Sequence, residues 1–355
     1  MSKTDIFKID KCKIATNGVF QEYLKPFKYL NGDCIKKKCI NPKIYNELQK
    51  VAQFYNIKYN NTNESLVKQL STHLGCVHHT VSCLVNKIIE KELDDSVVNN
   101  SLLFEQTKHI KPPGPFDSKE WFSNVNIDSI LEQLEDLFKD KHFLHIYFHM
   151  RDFKDFNSDP DEKKNLNKIV FSEYYKKGIR CFGVVFNTDV SSGSGEHWFA
   201  IFGDFTKMPF TIEHFNSSGD KPLPEICDLM CKIKHEMIKY LFDNNINISN
   251  EYKLDKKNNN DKTISQVINT GGGIDNCETD LNNELKCGSN NQSNEIKCIN
   301  VTQIVNQKDN HSCGSYSLFY ILCRLCGISY KVFEKNEIGD KLMHEFRRNL
   351  FAHNY

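Results

Sequence analysis

The stretch NQKDNHSCGSYSLFYILCRLCG, residues 306–327, passes from a polar loop into a run apolar enough for a buried helix. Ser312 is of a type favoured at helix N-caps, and a cap there puts Cys313 in the first helical turn. At that position free N–H groups and the helix dipole favour a thiolate, so the thiol pKa is expected to fall. The same N–H groups can face an oxyanion formed beside the sulfur. Gln307, in the preceding loop, offers a side-chain amide as a second donor, and Gly314 lets a substrate approach closely. A cysteine at a helix start is more often structural than reactive. Cys313 therefore has to be judged by its distant partners.

Those partners come from HWFAIFGDFTKMPFTIEHFN, residues 197–216. The pattern predicts two antiparallel strands, 197–204 and 209–216, about a turn near Phe205 to Met208. That register sets His197 directly opposite Asn216, with both side chains on one face. The amide oxygen of Asn216 can then accept from the imidazole N–H and fix its tautomer, as a base paired with a nucleophile requires. A slip of one residue would break the arrangement. Taken singly, His197, Asn216, Gln307 and Cys313 each have a structural reading; together they serve one reaction.

The 355 residues suffice for one substantial core and a smaller second domain. The 46 basic and 46 acidic residues cancel, which argues against a general polyanion partner. Residues 1–112 nevertheless hold 17 lysines against 11 acidic residues. Such a surplus either keeps a domain soluble or marks a weak nucleic-acid or protein contact. MSKTDIFKIDKCK lacks the apolar core of a secretory signal, and no apolar run has the length of a membrane span, so no membrane partner is expected. The fourteen cysteines are scattered, and reduced thiols are expected.

Residues 41–92 read as helices, with apolar residues at three- and four-residue spacing around an Asn/Thr-rich break. Helices joined by such a polar turn loosely resemble the SAP-type modules that bind DNA; a helical protein-contact arm is the plainer reading. KHIKPPGPFDSKEW, residues 108–121, marks a boundary, giving an arm at 1–112 and a core at 113–355. In the core a helix is expected at 126–138, strands at 142–150, 178–188, 197–205 and 210–216, and a helix at 223–243. Residues 244–298, rich in Asn, Lys, Gly and Ser, read as a low-complexity insertion, and deletion of 246–296 should spare fold and catalysis. A strand near 296–307 and helices from Cys313 and over 333–350 complete an α+β class, a central mixed sheet flanked by helices.

HLGCVHHTVSC, residues 73–83, offers His73, Cys76, His78, His79 and Cys83 as metal ligands, but consecutive helical positions seldom converge, and no metal or other cofactor is expected. Cys227 with Cys231, and Cys323 with Cys326, read as buried apolar thiols. INTGGGIDN lacks the Lys-Ser/Thr of a phosphate loop.

The chain order His, amide, Gln, Cys, with His-Trp opening a strand, HFNSSG closing the next and Q-x5-C-G opening a helix, resembles the Ulp1/adenain superfamily of cysteine proteases. EWFSNVNID, residues 120–128, resembles that group's segment upstream of the histidine. Asn216 stands where Ulp1-type enzymes generally have Asp and adenain has Glu. In this the chain is similar to the polyprotein-processing proteases of large DNA viruses, African swine fever virus among them. The resemblance implies Cys313 as nucleophile, His197 as general base, Asn216 as its orienting partner, Gln307 in the oxyanion hole and Trp198 flanking the cleft. It implies an endopeptidase that cuts viral capsid or core precursors at Gly-Gly-X sites during maturation, in the virion and at assembly sites in the host cytoplasm. Removal of ubiquitin-like modifiers, and a non-enzymatic packaged core protein, remain open beside it.

Overall fold

The computed structural model describes residues 40–76, 79–107, 110–112, 114–115, 119–155, 161–244, 246, 287 and 296–351. The chain divides into two compact units, Met1–Leu137 with Ile338–Tyr355, and Phe138–Glu337. The proline-marked boundary at 112/113 thus falls within the first unit.

The first unit is helical: α1 (Lys43–Phe54), α2 (Asn63–Leu74), α3 (Val81–Glu90), α4 (Asn100–Thr107) and α5 (Asn124–Leu137), with α10 (Asp340–Leu350) from the far end of the chain. In the Asn/Thr-rich break Thr62 Oγ1 accepts from the Ser65 N–H at 3.2 Å and caps α2. Gly75 closes α2 at φ 77°, a left-handed conformation that glycine adopts freely. Ile44, Leu48, Val51, Leu66, Leu70, Leu84, Ile88 and Leu103 fill a core contained within this arm. Cys76 and Cys83 form a disulfide between the end of α2 and the first turn of α3. That pairing overturns both the reduced-thiol expectation and any use of the two sulfurs as metal ligands; His78 lies outside the described residues. In α5 the Gln133 side chain donates to the Ile110 carbonyl at 2.6 Å. Phe122, in the expected family segment, packs edge-on against Phe351 beneath the Arg347 guanidinium, whereas Trp121 is 47 % exposed.

The second unit is built on a six-stranded mixed sheet: β1 (Phe143–His145), β2 (His149–Met150), β3 (Cys181–Asn187), β4 (Trp198–Asp204), β5 (Phe210–Phe215) and β6 (Ile296–Val301). The strand order is β1-β3-β4-β5-β6, with β2 also on β3. β3, β4 and β5 are antiparallel neighbours, while β1 and β2 on β3, and β6 on β5, run parallel. Strands β3 to β5 read as nearly continuous apolar runs because helices cover both faces. On one face Phe199, Ile201 and Ile212 meet Ile226, Met230 and Met237 of α7 (Pro224–Asp243). On the other lies α8 (Cys313–Leu325), whose Tyr320 stacks on Phe215 with ring centres 4.4 Å apart. Short helices α6 (Phe171–Lys176) and α9 (Tyr330–Phe333) complete the unit.

A buried ionic network ties α8 to the sheet. Arg324 donates through Nε to Glu213 Oε2 at 2.7 Å and through Nη2 to Glu213 Oε1 at 2.9 Å and Asp204 Oδ2 at 3.0 Å. Tyr320 donates its hydroxyl to Glu213 Oε2 at 2.7 Å. Removing one member would leave a buried charge uncompensated, so this contact fixes the C-terminal half of α8 against the sheet.

Two expectations are corrected here. Ala200 pairs with Phe215 and Asp204 with Thr211, so the hairpin register differs by two residues from one that opposes His197 to Asn216. The Asp204 carboxylate accepts from the Thr206 N–H at 3.0 Å, and Pro209 has no N–H to give the ladder, which lengthens the loop. Second, the 244–298 insertion is not separable at its ends. Ile296 to Cys298 lie in β6, and Cys287 is buried in the core as the disulfide partner of Cys231 on α7. Cys227 is disulfide-bonded as well, whereas Cys323 is a buried free thiol, as expected, and Cys326 is a free thiol but only half-buried.

Candidate active site

The second unit holds all four expected site residues. His197 immediately precedes β4, Asn216 follows β5, Gln307 lies in the loop after β6, and Cys313 opens α8. His197 Nε2 lies 2.7 Å from Asn216 Oδ1. The orientation of that amide is determined by a third group. The Ser218 backbone N–H, which can only donate, lies 3.1 Å from Asn216 Oδ1, so the atom facing it must be the oxygen. An oxygen there requires the proton on His197 Nε2, which leaves the Nδ1 lone pair as the base. Asn216 is 3 % exposed.

Residues 216–219 form the turn that makes this possible. The Gly219 N–H donates to the Asn216 carbonyl at 3.1 Å, and Gly219 has φ 81°. A Cβ on Gly219 would lie 2.8 Å from a Val305 methyl group, so both backbone angle and space call for glycine.

The same turn holds the Gln307 loop. The Ser217 carbonyl accepts from the Asn306 and Gln307 N–H groups at 2.9 and 3.0 Å, and the Ser217 hydroxyl donates to Gln307 Oε1 at 2.9 Å. At the other end of the amide Gln307 Nε2 donates to Asp309 Oδ1 at 3.3 Å. A carboxylate only accepts, so the amide nitrogen is placed with one further N–H to offer an oxyanion. Asp309 also accepts from the N–H groups of His311 and Ser312, at 3.1 and 2.9 Å, and from the Ser312 hydroxyl at 2.6 Å. Ser312 therefore occupies the N-cap position without capping through its side chain; Asp309 organises the turn instead.

Cys313 is 2 % exposed. Its thiol is drawn down by the N–H groups of Trp198, Gly314 and Cys313 itself, which places it beside the residue that follows His197. Burial is the larger effect and pushes the pKa above the usual thiol value, with the Asp309 charge adding to the rise. The expectation of a depressed thiol pKa is thus reversed, because burial outweighs the N–H groups around the sulfur. Burial likewise lowers the His197 pKa, against smaller upward contributions from the Asn216 hydrogen bond and the Asp220 carboxylate. Both directions favour a neutral thiol beside a neutral imidazole. An arrangement of this kind can pass the Sγ proton to His197 Nδ1 as the sulfur attacks a carbonyl carbon, with the carbonyl electron pair moving onto its oxygen. Trp198 is buried, with Phe148 edge-on to its indole at 6.1 Å between ring centres.

Sequence reading missed Ser217, Ser218, Asp309 and the Glu213–Arg324 pair. A lone acid in the apolar FTIEHF and a lone Arg in LFYILCRLC were the available signals, since buried charges in such runs are seldom unpaired.

Residues 274–355 match the Ulp1 protease family, C-terminal catalytic domain, a span that includes Gln307 and Cys313. The SUMO-1 cysteine protease of a Kenyan pig isolate of African swine fever virus is 27 % identical over 254 residues, covering 70 % of this chain and 73 % of that protein. The cysteine protease of a Malawian tick isolate of the virus matches to the same extent. The crystal structure of the African swine fever virus protease superposes with a TM-score of 0.55 at 23 % identity, covering 90 % of this chain and 96 % of that one. The chain carries the fold of the African swine fever virus protease, matches the Ulp1 protease family over its C-terminal part, and is a cysteine-type peptidase similar to that virus's enzyme.

Proposed function

We propose that the chain is an endopeptidase that cuts viral capsid or core precursors at Gly-Gly-X sites during particle maturation, in the virion and at assembly sites in the host cytoplasm. Cys313 acts as nucleophile, His197 as general base, Asn216 as the group that holds the imidazole tautomer, and Gln307 as oxyanion donor. Trp198 walls the cleft beside the thiol. The observation that carries this reading is the His197–Asn216 bond at 2.7 Å next to a thiol only 2 % exposed. So enclosed a sulfur suits a substrate that presents little side-chain bulk, which supports glycines before the scissile bond. The helical arm, residues 1–112, with its lysine surplus, serves as a weak nucleic-acid or protein contact. A second reading, removal of a ubiquitin-like modifier, draws on the description of one relative as a SUMO-1 cysteine protease.

Incubation with candidate virion precursors, followed by mapping of the new N-termini, separates the two. Cleavage after Gly-Gly that is absent in Cys313→Ala supports precursor processing. Labelling by a ubiquitin-like vinyl sulfone, without cleavage of any precursor, supports deconjugation. Full activity of Cys313→Ala would end both.

A further inference from the structure

Asn216 brings no charge to His197, and the surroundings of its amide show where one enters. The Ser218 hydroxyl lies 2.8 Å from Asn216 Oδ1 and 2.5 Å from Asp220 Oδ2. Its single proton therefore stands between the amide oxygen that holds the imidazole and a carboxylate. Asp220, Ser218, Asn216 and His197 form a continuous polar path along one tight turn, closed by Gly219.

We propose that Asp220 is a positioning residue for catalysis: its carboxylate, acting through Ser218 and Asn216, supplies the negative charge that stabilises the His197 imidazolium. That imidazolium forms when Nδ1 takes the Cys313 proton during attack. An amide at position 216 orients the ring but cannot neutralise it. Asp220 divides the two tasks, leaving orientation to Asn216 and charge to a group two bonds further along the path. The Asp220 carboxylate also shifts both His197 and His214 upward, so its field reaches the ring. The other titratable groups near the imidazole are His214 on β5, itself neutral and buried, and the Cys313 thiol beside Trp198.

This proposal rests on His197 being the general base, and its test separates the two ideas. In the full chain, Asp220→Asn and Asp220→Glu are compared with wild type by 15N NMR titration of the His197 imidazole and by kcat and KM on a Gly-Gly-X peptide. Asp220→Asn is expected to lower the His197 pKa and to reduce kcat about three- to tenfold at unchanged KM. Asp220→Glu restores both, and the difference shrinks in about 0.5 M salt, since the carboxylate is exposed. An unchanged His197 pKa in Asp220→Asn overturns the proposal, as does a rate loss that Asp220→Glu fails to rescue. If the pKa moves as stated but wild-type protein cleaves no peptide, the substrate reading fails and the electrostatic assignment stands.

Discussion

His197 Nε2 and Asn216 Oδ1 lie 2.7 Å apart although the two residues are not partners across the β4–β5 hairpin. A register two residues away from direct opposition preserves the face, because side chains alternate with period two. The imidazole then meets the amide diagonally, from just before one strand to just after the next. Directionality is imposed by the Ser218 N–H, which leaves the amide oxygen one way to face.

The pH dependence of kcat/KM follows from the two pKa directions. His197 is lowered, so it stays neutral and able to accept a proton to below its ordinary value near 6.5. Cys313 is raised, so it keeps its proton to above 9.0. A plateau is expected to span neutral pH, with an acid limb below 6.5 and an alkaline limb above 9.0. A pre-formed thiolate–imidazolium pair would place the acid limb well under the range of a free histidine and remove the alkaline thiol limb. A pH–rate profile on a peptide substrate distinguishes them.

Gln307→Ala should reduce kcat by about 100- to 1,000-fold with little change in KM, as loss of an oxyanion donor does. Ser217→Ala should cost less, since it frees only the Oε1 end of the amide while Asp309 still holds the nitrogen. Steady-state kinetics on both variants checks the ranking. Equal losses would show that Ser217, and not Gln307, dominates the loop.

Arg324→Met should destabilise the second unit by about 3–5 kcal/mol, because Glu213 would be left buried without its cation. Pairing it with Glu213→Gln should recover part of the loss. Urea unfolding of the two single variants and the double variant gives the coupling. Activity should fall in the single variants too, since α8 carries Cys313.

His214 predicts acid sensitivity. Its ring is fully buried, bonded to Asn300 Oδ1 at 3.0 Å, and its pKa is lowered to about 4. Below 6.5 the unfolded chain takes up a proton that the folded chain refuses, so stability is full above 6.5 and declines toward 4. The shift corresponds to roughly 3 kcal/mol. Unfolding midpoints at neutral pH and near pH 4.5 should diverge less in His214→Gln than in wild type.

Much of the site was legible because its chemistry is written in local signals. His-Trp at a strand start, Asn closing the next strand and Q-x5-C-G before an apolar helix named four residues that the fold brings into one unit. The sheet class and the flanking helices followed from period-two and period-3.6 patterns.

What the sequence by itself determined is therefore the order of the proposed reacting groups and the elements that carry them. Only the tertiary structure decided their state. The Cys313 pKa is raised because desolvation, a property of everything packed around the sulfur, outweighs the helix N-terminus that sequence can see. The Cys231–Cys287 disulfide and the Glu213–Arg324 pair join residues 56 and 111 positions apart, and no local pattern encodes such a meeting. The register of one hairpin, set by an Asp204 turn and a proline, likewise placed His197 beside Asn216 by a route that spacing alone did not show.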